Sequence, residues 1–267
     1  MPSARINGHD MYYEVHGRGD PLLVLGGWGS YCHGKERHLA RGLTERYSVL
    51  IVDYRGIGES GDDVNIPPSI DLHAQDVTEL IDHLGYRRVH LVGLVGMGAC
   101  ICQAIAAARP DLARSLVNMG AWCSVDEYLR DQLETLRRVH RDLGFEAFQK
   151  LVALWSFDAD FYNANKSRLL GAQGAWGELN GRFAAHSRLI DACLGFDSRE
   201  RLPSIRCPTL IVHAGRDQVT GPRLTRPIEA GIPGAVRVMM EDAAHVIVGR
   251  EQKQRFCEIL LAFLNAN

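Results

Sequence analysis

Short apolar runs alternate with amphipathic stretches along most of the chain. The runs are Pro21 to Leu25, Tyr47 to Val52, Val89 to Val92, Ser115 to Met119, Thr209 to Val212 and Val236 to Met240. Mainly apolar runs of this length suit strands buried on both faces, as in a parallel sheet covered by helices. Ahead of them, Ile6 to Val15 reads as a hairpin, because Asn7-Gly8 is a tight-turn dipeptide and Met11-Tyr12-Tyr13 supplies the return strand. Leu72, Val77, Leu80, Ile81 and Leu84 keep helical spacing, as do Phe256, Ile259, Leu260 and Phe263. A helix is expected over Ala99 to Ala108, stopped by Arg109-Pro110. Alternation of this kind predicts an open α/β sheet with helices on both faces. The exception is 122–202, which lacks a strand pattern and is rich in amphipathic segments and aromatic residues. It reads as a helical cap inserted over the strand ends, with 1–121 and 203–267 forming the core. Ligands of open α/β sheets bind at that edge.

The composition narrows the function classes. A length of 267 residues suits one large domain or a domain with an insertion. Apolar residues at 46% and charged residues at 23% exclude a disordered chain. A formal net charge of −2 offers no electrostatic footprint for nucleic acid or an anionic membrane. No apolar run approaches the ~18 residues of a membrane span. Met1 to Gly8 lacks the basic-then-apolar pattern of a secretory signal, so a cytoplasmic protein is expected. Of seven cysteines, only Cys100 and Cys102 lie close together, in an Ala-rich stretch without a second ligand pair. Buried, reduced thiols are expected rather than a metal site. A small molecule is the expected partner, and homo-oligomerisation is left open.

Three segments carry a family resemblance. Asp53-Tyr54-Arg55-Gly56-Ile57-Gly58-Glu59-Ser60 resembles the D-x-R-G-x-G-x-S segment of α/β-hydrolase-fold proteins. Pro208-Thr209-Leu210-Ile211-Val212 through Asp217 resembles the run that delivers the acid of their catalytic triad. Ile232-Pro233-Gly234-Ala235 followed by Ala243-Ala244-His245 resembles the segment that delivers the histidine. The flavour is that of enol-lactonases and carbon–carbon-bond hydrolases of aromatic catabolism, on the Leu154-Trp155 region and Phe196 to Leu202. The resemblance implies a mostly parallel sheet with a helical cap, no cofactor, and catalytic roles for Asp217 and His245.

The elbow departs from the family. Where G-x-S-x-G is expected, the chain reads Gly93-Leu94-Val95-Gly96-Met97-Gly98. Matching the opening pair puts Val95 on the nucleophile position, and valine cannot attack a carbonyl. A β-branched residue is also strained at positive φ, so either Val95 bears that strain or it passes to Gly96. A slightly relaxed elbow is expected, with the Gly96 N–H near the pocket. By resemblance, the oxyanion hole would use the N–H groups of Trp28 and Gly96. Gly27, His33, Trp122, Cys123 and Ser124 are candidate pocket walls, with Cys123 also a candidate displaced nucleophile. The order strand, glycine loop, helix invites a dinucleotide reading too. The spacing is wrong for it, and the next strand ends in Met119-Gly120-Ala121 without an acid.

These residues point to an enzyme that works without a covalent intermediate, His245 acting as general base under Asp217. An activated ester, enol lactone or diketone is the leading substrate class. Lyase, decarboxylase or cofactor-free oxygenase chemistry on the same dyad stays open, as does a silent ligand-binding protein.

Overall fold

The computed structural model describes residues 3–29, 32–33 and 38–267; Met1 and Pro2 of the N-terminal segment lie outside them. A hairpin of β1 (Ser3–Ile6) and β2 (His9–His16) opens the chain, turning at Asn7-Gly8 with both residues at positive φ. There follow β3 (Asp20–Leu25), β4 (Tyr47–Val52), α1 (Ile70–His83), β5 (Val89–Leu94), α2 (Met97–Ala108) and β6 (Ala113–Met119). After a helical stretch come β7 (Thr209–Ala214), a helix at Pro222–Gly231, β8 (Val236–Met240) and a last helix at Arg250–Ala266. One eight-stranded sheet results, in the order β1-β2-β4-β3-β5-β6-β7-β8. The pairs β1/β2 and β2/β4 are antiparallel and the rest parallel.

Alternate residues of the central strands feed two cores. Leu23, Leu25, Leu91, Leu116 and Ile211 pack on Val77, Leu80, Ile101 and Ile105 of α1 and α2. Leu22, Val24, Val92, Val117 and Val212 pack on Phe256, Leu260 and Leu264 of the last helix. Burying such a side chain fully is worth roughly 1.5–3 kcal/mol, which is why five of the six apolar runs lie inside the sheet, Val236–Met240 alone of them forming an edge.

Between β6 and β7 the chain forms α3 (Glu127–Ser156), α4 (Ala159–Leu169) and α5 (Phe183–Leu194); the two helices after β7 are α6 (Pro222–Gly231) and α7 (Arg250–Ala266). In 122–202 the only strand-type pairing is an isolated bridge between Ser124 and Asp197. Asp126 caps α3 by accepting the Leu129 N–H at 2.8 Å, and Gly144, at φ 83°, breaks that helix midway. Two arginines fasten α5 to the core. Arg182 donates to the carbonyls of Gly56 and Gly58, and Arg188 to Asp62 Oδ2 and the Ile66 carbonyl, both at 2.8 Å.

The Asp53–Ser60 segment is structural. Buried Arg55 pairs with Asp76, at 2.6 and 2.7 Å, and Asp53 Oδ2 accepts the Glu59 N–H at 2.8 Å. Tyr54 donates its hydroxyl to the Gly26 carbonyl at 2.8 Å, which orders the loop leading to Trp28.

Candidate functional site

Loops at the carboxyl ends of β3, β5, β7 and β8 converge beneath α3 on a cavity of about 260 Å³. Its floor is Gly27, Trp28, Val95, Gly96 and Met97, with His245 and Thr220 on one side. Leu129, Leu133, Leu136, Val152, Trp155 and Trp176 give it a mainly apolar roof.

Asp217 follows β7 and is almost fully buried. Its Oδ1 accepts the N–H groups of Val219 (2.7 Å) and Thr220 (2.9 Å), an Asx-type turn. Its Oδ2 lies 3.0 Å from His245 Nδ1 and accepts the Thr220 hydroxyl, also at 3.0 Å. Burial by itself would raise the Asp217 carboxyl. The charge and hydrogen bond of His245, with the Thr220 and Val219 N–H groups, outweigh it and hold the group below the ordinary carboxylate range. The carboxylate therefore fixes His245 through Nδ1 and leaves Nε2 as the nitrogen available to the cavity. No described side chain hydrogen-bonds to Nε2.

The elbow differs from the sequence expectation. Val95 and Gly96 both take positive φ, 60° and 64°, so the turn is not relaxed. Val95 remains in the strained region because both its flanks are tied to β6. Its N–H donates to the Met119 carbonyl (2.8 Å), and the next N–H, of Gly96, donates to the Gly120 carbonyl (2.9 Å). The Gly96 N–H is thus engaged in the sheet and is not a free oxyanion donor, which corrects the reading of that residue. Gly120 permits this close approach. At φ 75°, a Cβ there would stand 2.9 Å from Thr220 Oγ1 and 3.5 Å from Val95 Cα.

Other wall candidates separate. Gly27 and Trp122 line the cavity, but His33, Cys123 and Ser124 do not. His33 stacks on Tyr12 outside it and sits 3.5 Å from Asp53. Cys123 is buried, its carbonyl accepting the Ser198 N–H, and burial pushes its thiol up. Ser124 is taken by its bridge to Asp197. Cys100 and Cys102 are fully buried below the elbow, and burial raises both thiols.

Residues absent from the sequence expectation complete the site. Thr220 bridges the pair, a role hinted at by its spacing of three from Asp217. Gln132 and Ser156 of α3 carried no such signal. Gln132 donates to the Gln218 carbonyl (3.2 Å), and the Ser156 carbonyl accepts the Val246 N–H (3.1 Å), so α3 is bonded to both dyad loops. Behind Trp28 lies a buried imidazole pair. The His186 ring meets the indole edge-on at 4.7 Å, and its Nδ1 is 2.8 Å from that of His140. Burial, aided by the nearby charges of His140 and Arg137, pushes His186 down to about 3. Among the described residues, no group of three or more His, Cys, Asp or Glu is placed to hold a metal ion. None of the described helices is long and apolar enough to cross a membrane.

The sequence pattern of the α/β hydrolase fold matches residues 20–250. A protein of Azorhizobium caulinodans named "Putative carbamate hydrolase RutD" is 31% identical over 266 residues, with 98% of each chain covered. One of the same name from Stutzerimonas stutzeri is 30% identical over 270 residues, 95% of this chain and 96% of its own. The crystal structure of an enol-lactonase from Burkholderia xenovorans superposes with a TM-score of 0.84 at 20% identity, covering 99% of this chain and 100% of that one. That identity speaks for the fold alone. With a mostly parallel sheet, a helical stretch between β6 and β7 and a match over most of its length, the chain belongs to the α/β-hydrolase fold family.

Proposed function

We propose that the protein hydrolyses a small acyl compound, an activated ester, enol lactone, diketone or carbamate, by general-base catalysis without an acyl-enzyme. The carbamate class enters through the names of the RutD relatives. Segment 122–202 acts as a cap that roofs the cavity of the 1–121 and 203–267 core. His245 Nε2 takes a proton from water as the oxygen attacks the carbonyl carbon, and Asp217 stabilises the imidazolium that forms. The carbonyl π pair moves onto oxygen, where the Trp28 N–H, which has no acceptor among the described residues, receives the charge. Collapse of the intermediate expels the leaving group, which takes the proton back from His245.

One observation carries this reading. His245 is held by Asp217 and Thr220 in the wall of a cavity that it shares with a turn, Val95-Gly96, that has neither hydroxyl nor thiol. Among the described residues, the two hydroxyls of the cavity wall do not replace one: Thr220 is bonded on the Nδ1 side, and Ser156 makes no bond to His245. The test is turnover of activated aryl esters and aryl carbamates by the protein and by His245→Gln. A general base contributes about 10²–10⁴-fold, so the variant should lose at least about a hundredfold in kcat. A serine-directed phosphonate or a thiol alkylator should leave the rate intact. A pre-steady-state burst, or substrate-protected inactivation by alkylation, would show a covalent route and sink the proposal.

A further inference from the structure

The elbow holds more than a missing serine. Gly96 is the last residue before α2, with φ 64° and ψ −120°. The sheet's hold on the chain runs through it, since the N–H groups of Val95 and Gly96 both donate to the end of β6. The first turn of α2 then closes on the Gly96 carbonyl, which accepts from Ala99 (3.1 Å) and Cys100 (3.2 Å). Met97 and Gly98 are therefore the first residues whose N–H groups have no acceptor among the described residues. Gly98 is shut against the β3 end, where a Cβ would stand 2.2 Å from the Gly26 carbonyl oxygen, whereas Met97 lines the cavity.

Side-chain space points the same way. A Cβ on Gly96 would meet only Trp122 Cζ3, at 3.9 Å, and both residues line the cavity beside His245. Val95 instead sets Cγ1 within 4.0 Å of the Cβ position of Gly27, on the β3 side of the floor. The cavity also has the marks of a polar ligand. Trp122 Nε1, Gln132 Oε1 and Ser156 Oγ, on side chains of its wall, are buried without a hydrogen-bond partner among the described residues, a cost such a ligand can offset.

We infer that the elbow is displaced by one residue, so that Gly96 rather than Val95 occupies the attacking position. The hydrolytic water stands above Gly96, in line with His245, and the Met97 N–H at the head of α2 joins the Trp28 N–H in holding the oxyanion. An N–H at a helix start suits this task, because the helix dipole favours negative charge there. This assignment rests on the general-base reading but places the chemistry on residues that the motif alone does not select.

Gly96→Ser and Val95→Ser, each checked for folding by circular dichroism, are mixed with p-nitrophenyl acetate. Gly96→Ser should release a burst of nitrophenol matching the enzyme concentration and gain one acetyl group by mass spectrometry; Val95→Ser and the parent should not. A burst from Val95→Ser alone overturns the assignment. Should Gly96→Ser fail to fold, a structure of the parent soaked with phenylboronic acid decides. The borate should place one oxygen within hydrogen-bonding distance of Met97 N and another of His245 Nε2; a borate that avoids Met97 refutes it. His245→Gln separates the two levels. If it keeps full hydrolytic activity, the general-base reading falls. If it loses activity while neither serine variant bursts and the borate avoids Met97, only the one-residue displacement falls.

Discussion

Replacing Asp217 with asparagine probes the dyad with almost no change of shape. The carboxylate now accepts four hydrogen bonds, from the N–H groups of Val219 and Thr220, the Thr220 hydroxyl and His245 Nδ1. In Asp217→Asn the amide oxygen can keep the two backbone donors that Oδ1 now takes. The NH2 group then stands where Oδ2 accepted. The Thr220 hydroxyl can rotate to accept from it, but a protonated Nδ1 cannot. The imidazole must shift its proton to Nε2, and the nitrogen facing the cavity becomes a donor that cannot deprotonate water. Loss of the base together with loss of the charge beneath the imidazolium should lower kcat about 10³–10⁴-fold, or about 4–5.5 kcal/mol. KM should stay within about twofold, because the interaction lost matters only in the transition state. Steady-state kinetics at pH 7 on the best ester or carbamate read both, with circular dichroism confirming the fold. Activity within tenfold of the parent would refute the argument, since His245 would then be oriented by something other than Asp217.

Thr220→Val removes the hydroxyl between Asp217 Oδ2 and His245 Nδ1 at nearly constant volume. About 1–1.5 kcal/mol for a lost hydrogen bond predicts a five- to tenfold fall in kcat, and an unchanged rate would show the hydroxyl idle. Gly120→Ala puts a methyl at φ 75° against Thr220 Oγ1, so it should cost about 1–3 kcal/mol in a urea melt and also slow turnover. Acid should destabilise the fold through His73, His90 and His186. Burial, the main cause, pushes the first two down to about 4 and the third to about 3. Below the ordinary 6.5 the unfolded chain takes up protons that these groups refuse, so stability present above pH 6.5 drains as pH falls towards 4. The slope is about 1.4 kcal/mol per histidine per pH unit. Asp217, held low in the fold, acts in the same direction at still lower pH. Equal urea midpoints at pH 7 and pH 5 would contradict this account.

The sheet was legible because its signal is local. Tyr47 to Val52 and Val236 to Met240 are strands over the residues their apolar runs mark, and the Asn7-Gly8 turn pairs Ile6 with His9. The adjacency of Asp217 and His245 was also legible, since each follows a strand and those strands are neighbours. What failed depended on partners from far along the chain. Nothing near Gly96 reveals that its N–H bonds to Gly120, or that Val95 and Gly96 turn together at positive φ. His33 was drawn outward by Tyr12 and Asp53, and Ser124 by Asp197. Gln132 and Ser156 lie on a helix whose periodicity shows which face is apolar, not which backbone groups stand opposite.

The join between β6 and β7 has a consequence for how such a protein can diversify. These strands are hydrogen-bonded neighbours, yet the chain leaves at Met119 and returns only at Thr209. The entropy of closing so long a loop grows only with the logarithm of its length, about 0.6 kcal/mol for each doubling. Segments could therefore be lengthened, shortened or exchanged there with little penalty to the sheet. Most of the cavity roof, from Leu129 to Trp176, comes from this excursion, whereas Asp217, His245 and the elbow are anchored to strands outside it. On the proposed reading, the segment that roofs the cavity could drift while the residues that carry the chemistry are kept.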